Sequence, residues 1–155
     1  CFIANTVKCR PPGNRDPEFA EIRACAPFLL RQIEALKPLL ILAVGKVAAN
    51  RLLHAGDEAA PPEPIGRLRG RFFDPGFSGS PDQGENSGIR VLATYHPSAL
   101  LRDESLKTQA FEDLKKLMLR LAALNEEYRR ESRPLMAKYA AKDPVFAAEA
   151  GEFLP

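Results

Sequence analysis

Two runs in this sequence, "LLILAVG" at 39–45 and "IRVLATY" at 89–95, are almost wholly apolar and show no polar alternation. A strand that faces water on one side alternates polar with apolar residues. A strand without alternation is covered on both faces, as in a parallel sheet between layers of helices. Each run is followed by a helical pattern. A third strand-like stretch, "CFIANTV" at 1–7, is apolar and β-branched and ends in a Pro-Pro-Gly turn.

The connections fit that arrangement. Phe19, Ile22, Ala26, Leu29, Ile33 and Leu36 recur at three and four residues, which predicts an amphipathic helix with Asp16 as N-cap, Pro17 at its first position and Pro38 beyond its end. "KVAANRLLHA" is a short helix after a turn at Gly45. Residues 56–66 are a loop, "GRLRGRFF" is an edge strand or an extended arm, and 74–88 are a polar connection. A long helix is expected from Ser105 to about Arg130, with Leu106, Phe111, Leu114, Leu117, Leu121 and Leu124 on one side. Strand-helix alternation of this kind predicts an α/β fold, a three-layer α/β/α sandwich around a central parallel sheet. Residues 1–124 would form the main unit. Residues 125–155 would be a helical or partly disordered extension that docks on it or trails from it.

At 155 residues the chain suits one domain, and no apolar run approaches the roughly 20 residues of a membrane span. With no signal peptide in view, the expected setting is cytoplasmic, and the expected state a monomer. The chain opens on Cys1 inside an apparent strand, as the C-terminal part of a longer protein would. A net charge of +2 does not by itself imply nucleic acid. Its distribution is more informative: Lys8, Arg10 and Arg15 surround one loop, and Arg67, Arg69 and Arg71 alternate along another stretch. Such a face serves as a phosphate footprint or is simply solvated surface.

Ligands of parallel sheets bind outside the carboxyl ends of the strands. Two unusual loops, "KCRPPGNR" and "HPSALLR", are expected at such ends and so at one edge of the sheet. Fifteen residues lie between Cys9 and Cys25. Three cysteines do not suggest a disulfide framework, and two thiols alone are either buried free cysteines or half of a metal site. His96 at a strand end would carry an imidazole over the site, with Ser98 free to cap the next helix. His54, at a helix end, needs no more than a dipole role. Asn5 in an apolar strand needs a partner for its carboxamide, either backbone or the edge of a nucleobase.

The ordered set "IANTVKCRPPGNRDP", Cys25 with "APFLLRQIEALKP", "LLILAVGKVAANRLL", "RLRGRFF" and "TYHPSALLR" resembles family 4 uracil-DNA glycosylases, the iron–sulfur type, over residues 2 to about 120. The resemblance implies that Cys9 and Cys25 are two of four ligands to a [4Fe–4S] cluster, the others lying upstream. It implies that Asn5 reads uracil, since a carboxamide pairs with the N3–H donor and O4 acceptor and mispairs with cytosine. A site held rigidly in that orientation can discriminate by ~10⁴ or more. His96 would donate to uracil O2 as negative charge develops there, an effect worth about 3 kcal/mol, with Ser98 beside it at the base. Arg10, Pro11, Pro12, Gly13, Asn14 and Arg15 would face the DNA backbone. Leu100 or Leu101 would enter the duplex as a wedge, with Arg102 near a phosphate. The partner is uracil-containing DNA and the reaction hydrolysis of the glycosidic bond of an extruded deoxyuridine. The family's water-positioning loop and base-stacking aromatic would lie before Cys1. A family 5 enzyme, which shares the cluster and the His-Pro-Ser turn, and a noncatalytic iron–sulfur or nucleic-acid-binding module remain alternatives. A nucleotide-binding α/β protein has no support, because neither GxGxxG nor GxxxxGK[ST] occurs.

Overall fold

The computed structural model describes residues 1–55, 57, 60–77 and 89–154. Within them lie seven α-helices and three strands: α1 (Phe19–Leu36), β1 (Leu40–Val44), α2 (Lys46–Leu53), α3 (Ile65–Leu68), β2 (Phe72–Phe73), β3 (Arg90–Thr94), α4 (Pro97–Arg102), α5 (Leu106–Leu124), α6 (Glu126–Ala140) and α7 (Pro144–Ala150). Short 3₁₀ turns add Pro12–Asn14 and Gly151–Phe153.

The two unalternated runs form the heart of the molecule. β1 and β3 pair in parallel, Leu40 opposite Arg90 through Val44 opposite Thr94. Val91, Leu92 and Ala93 are fully buried. Successive side chains along β3 point to opposite faces. Val91 and Ala93 join Ile33 of α1, Ala49 and Leu52 of α2 and Leu68 of α3 in one core. Thr94 points the other way, to α5, where its hydroxyl meets Asp113. Helices therefore cover both faces, and the α/β layering expected of such strands is present. The sheet is mixed rather than strictly parallel, in the order β1-β3-β2, because the two-residue β2 runs antiparallel on β3. "GRLRGRFF" thus divides into the last turn of α3, a bridge from Arg69 to Ala93 and the edge strand β2.

Residues 1–7 form no strand. Phe2 and Ile3 are 58% and 88% exposed, and no ladder partner holds the segment. Apolar β-branched composition favours a strand only where a neighbour supplies hydrogen bonds and a surface to pack on, and β1 pairs only with β3. The loop "KCRPPGNR" consequently does not follow a strand end.

Helix α1 starts two residues later than expected. Glu18, not Asp16, is its N-cap, and the Glu18 amide donates to the Glu21 carboxylate at 2.8 Å. The long helix expected to run to Arg130 breaks at Asn125, whose φ of −137° leaves the helix and whose Oδ1 accepts the Tyr128 amide at 2.8 Å. Asparagine competes for its own backbone in this way, which is why it is favoured at caps. The buried face of α5 is Ala110, Asp113, Lys115, Met118 and Ala122, while Phe111, Leu114 and Leu124 are more than two-fifths exposed. The leucine stripe is therefore rotated away from the core, and two alanines, Met118 and one member each of two ion pairs take the inner positions.

The extension docks. Met118 and Ala122 of α5 pack with Met136 of α6, Phe146 and Ala150 of α7, and Phe153, making a second core separate from that of the sheet. Lys115 pairs with Asp143 and with Glu112. Asp143 also accepts the amides of Val145 and Phe146, both at 3.1 Å, capping α7. Most of the polar connection expected at 74–88 lies outside the described residues. No helix among the described residues is long and apolar enough to cross a membrane.

Candidate functional site

The parallel pair β1 and β3 ends at two adjacent turns, one at Gly45 and one at His96. The Gly45 amide donates to the Thr94 carbonyl at 2.9 Å. Gly45 has φ +93°, and a Cβ built there would lie 3.0 Å from Cβ of His96. Only glycine meets both the conformation and the approach. His96 is exposed at the carboxyl end of the sheet, and α4 begins immediately after it.

The cap of α4 is His96 itself rather than Ser98. Its Nδ1 accepts the Ser98 amide at 3.1 Å, and Ser98 Oγ lies 2.8 Å from the same nitrogen. An Nδ1 that accepts a backbone N–H carries no proton in the neutral ring, so the proton sits on Nε2. His96 is exposed, and its Nε2 has no hydrogen-bond partner among the described residues. Ser98 acts on the ring rather than on open space. Further along α4, Leu101 is 82% exposed whereas Leu100 is half-buried, so Leu101 is the more exposed of the two leucines. Arg102 is exposed in the last turn of α4.

The first loop is a distinct cluster. The Lys8 amide donates to Sγ of Cys25 at 3.2 Å, which brings the residue beside Cys9 against α1. Lys8 Nζ donates to the Asn5 carbonyl at 2.9 Å and to Gln32 Oε1 at 2.8 Å. The backbone of Asn5 is thereby held, but its carboxamide is exposed and makes no hydrogen bond among the described residues. The requirement that a buried amide be paired does not arise for it. No hydrogen bond or ion pair joins Asn5 to His96 among the described residues.

In the turn that follows, Gly13 and Asn14 adopt φ of +65° and +56°. Arg10 Nε donates to Asn14 Oδ1. Arg15 is not a free charge. Its guanidinium grips both Glu21 oxygens, at 2.8 and 2.9 Å, and reaches Glu18 at 3.3 Å. The hydrogen bond from Arg15, and then that from the Glu18 amide, holds the Glu21 carboxyl below its usual range. Among the arginines of the second basic stretch, Arg69 is likewise consumed by Asp113. The exposed cations nearest the first loop are therefore Lys8 and Arg10, both engaged through neutral acceptors that leave their charge uncompensated.

Cys9 follows the residue whose amide bonds Cys25, so both thiols lie at the junction of the first loop and α1. Cys9 is exposed, Cys25 half-buried, and the Lys8 amide aimed at Cys25 Sγ suits a sulfur carrying negative charge. Among the described residues no group of three or more His, Cys, Asp or Glu gathers as a complete metal site. Cys1 is exposed, as Cys9 is.

Sequence reasoning missed the network under His96. Asp113 is fully buried on α5, and binds Arg69 and Thr94. Its one trace in the sequence is an aspartate three residues after Ala110 and five before Met118, on what proves to be the inner face.

A family model described as "Uracil DNA glycosylase superfamily" matches residues 1–115. A type-4 uracil-DNA glycosylase of Saccharolobus solfataricus is 40% identical over 116 residues, 75% of this chain and 50% of the relative. One of Thermotoga maritima is 38% identical over 117 residues, 74% of this chain and 53% of the relative. A type-5 uracil-DNA glycosylase of Pyrobaculum aerophilum is 31% identical over 102 residues, 64% of this chain and 37% of the relative. The chain spans about half the length of the type-4 relatives it matches. With the strand-end histidine, Cys9, Cys25 and the α/β layers all inside the matched region, the chain belongs to the uracil DNA glycosylase superfamily.

Proposed function

We propose that these residues form the base-excising part of a uracil-DNA glycosylase that hydrolyses the N-glycosidic bond of an extruded deoxyuridine. The observation that carries this reading is the locked ring of His96. Nδ1 is occupied by the Ser98 amide, so Nε2–H is the group presented at the carboxyl end of the sheet. As the glycosidic bond lengthens, the sugar becomes cationic and the base anionic. A neutral imidazole donating from Nε2 to uracil O2 stabilises that anion without itself losing a proton. A preoriented donor of this kind contributes about 3 kcal/mol to the barrier.

The same reading gives the other site residues their roles. Asn5 reads the uracil edge from a backbone held by Lys8, and Ser98 supports the ring that touches the base. Arg10, Pro11, Pro12, Gly13 and Asn14 lie along the DNA backbone, with Arg15 bracing the turn through Glu21. Leu101 enters the gap left by the extruded base, Leu100 seats α4, and Arg102 meets a phosphate. Cys9 and Cys25 would hold one side of a [4Fe–4S] cluster whose remaining ligands come from elsewhere in the full-length protein; when bound it supplies a rigid anchor between the first loop and α1. Residues 1–124 are the glycosylase unit and 125–155 an accessory extension. The setting assigned is a cytoplasmic monomer acting on uracil-containing DNA.

The test is single-turnover excision of uracil from a duplex oligonucleotide by the full-length protein. His96→Ala should lower the rate by about 10²–10³-fold while DNA affinity is retained. Binding of uracil-containing DNA with no base release by the unaltered protein would sink the reading and leave a noncatalytic DNA-binding module.

A further inference from the structure

Asp113 is a carboxylate in the middle of α5 with no exposed surface. Its Oδ2 accepts the Thr94 hydroxyl at 2.7 Å and Arg69 Nε–H at 3.0 Å, and its Oδ1 accepts Arg69 Nη2–H at 2.5 Å. A buried ion pair adds little net stability over packed apolar side chains, because the loss of hydration offsets the attraction. The fold is nevertheless shaped around this one. Gly70 adopts φ +68°, and a Cβ there would lie 2.6 Å from Asp113 Oδ1.

What the pair grips is the end of β3. The Thr94 side chain goes to Asp113, and its carbonyl takes the Gly45 amide. The Ala93 carbonyl takes the Gly70 amide at 2.9 Å. Tyr95 donates from its hydroxyl to Gln109 Oε1 at 3.2 Å, under an Arg69 guanidinium 5.6 Å from its ring centroid. Arg69 Nη2 also donates to the Gln109 carbonyl. Each of the three residues before His96 is thus tied to Asp113, to Arg69 or to the residues adjoining them.

We propose that Asp113 is a positioning residue for His96. Acting through Thr94 and Arg69, it fixes the carboxyl end of β3 and with it the height and rotation of the imidazole. This rests on the reading of His96 as the donor to uracil. Misplacing a reacting group by about 1 Å can cost about 10²-fold in rate, so a rigid base beneath the ring has a direct catalytic return.

The experiment compares Thr94→Val, which removes only the hydroxyl, with Thr94→Ser, which keeps it, in the full-length protein. Thr94→Val should lower single-turnover uracil excision by about tenfold or more. DNA affinity should stay within about twofold, and Thr94→Ser should recover most of the rate. Asp113→Asn should follow Thr94→Val where it folds. Ring ¹⁵N spectra, with His96 assigned by its loss in His96→Gln, should show one Nε2–H tautomer in the unaltered protein and an averaged ring in Thr94→Val. A Thr94→Val enzyme with undiminished rate and an unchanged ring spectrum overturns the proposal. So does a rate loss that Thr94→Ser fails to rescue or that tracks DNA affinity. If the unaltered protein releases no uracil, it is the reading of His96 that falls, and the ring spectra alone decide whether Asp113 positions it.

Discussion

At the scale of the residue, the site depends on groups whose conformations are narrowly limited. Gly45 combines φ +93° with ψ 170° and a Cβ position 3.0 Å from His96. That backbone region is essentially closed to other residues, and occupying it costs of order 1–3 kcal/mol. Gly45→Ala should destabilise the protein by about that amount. It should also slow excision by more than the unfolded fraction explains, because the new methyl meets His96 directly. Urea unfolding and single-turnover assays on the same preparation separate the two effects. An unchanged rate would mean that His96 tolerates displacement at its Cβ. His96 itself was legible as a candidate because a strand end followed by Pro-Ser leaves few places for an imidazole to go. That its own ring would cap α4 was not legible, since Ser98 has the better reputation as a cap and the competition is settled by backbone geometry. Asn5 shows the opposite case. Its surroundings in sequence imply burial, yet a segment without a neighbouring strand leaves it exposed.

At the scale of the element, β1 and β3 could be read from their unbroken apolar runs and α1 and α2 from their helical pattern, although Phe19 and Leu36 at the ends of the α1 stripe are about half exposed. The end of the long helix could not, because Leu106–Leu124 and Glu126–Ala140 are both helical in composition and one asparagine divides them. Nor could the inner face of α5, where Asp113 and Lys115 displace leucines through partners distant in sequence, Arg69 and Asp143. Asp143 joins two elements at once, since it caps α7 and binds Lys115 of α5. The Lys115 ammonium and then the Phe146 amide hold its carboxyl below the usual range. A carboxyl whose pKa is depressed by folding stabilises the native state above its unfolded-state value, and that contribution disappears as the pH falls through the folded-state value. Acid should therefore loosen the α5–α7 contact below about pH 4. Asp143→Asn should lower Tm at neutral pH and flatten its fall on the acid side. Thermal unfolding followed by circular dichroism across the acid range checks this. A variant whose acid limb coincides with that of the unaltered protein would remove Asp143 from the account.

At the scale of the whole molecule there are two cores, and α5, which belongs to the second, reaches the sheet through polar contacts. The first turns of α5 face the sheet through Gln109 and Asp113, and its later turns face the extension through Met118 and Ala122. The family match stops at residue 115, part-way along that helix. Removing buried side chains of the second core should be costly even though none of them belongs to the candidate site. Met136 is completely buried, and Met136→Ala should destabilise by about 2–5 kcal/mol. The boundary suggested by sequence similarity therefore falls inside a helix whose later turns belong to the second core. Asp113 of α5 ties that helix to Thr94 and Arg69 beside the sheet core, so scanning calorimetry should record one endotherm, with van't Hoff and calorimetric enthalpies in agreement. Two resolved peaks would mean that these contacts do not couple the two cores.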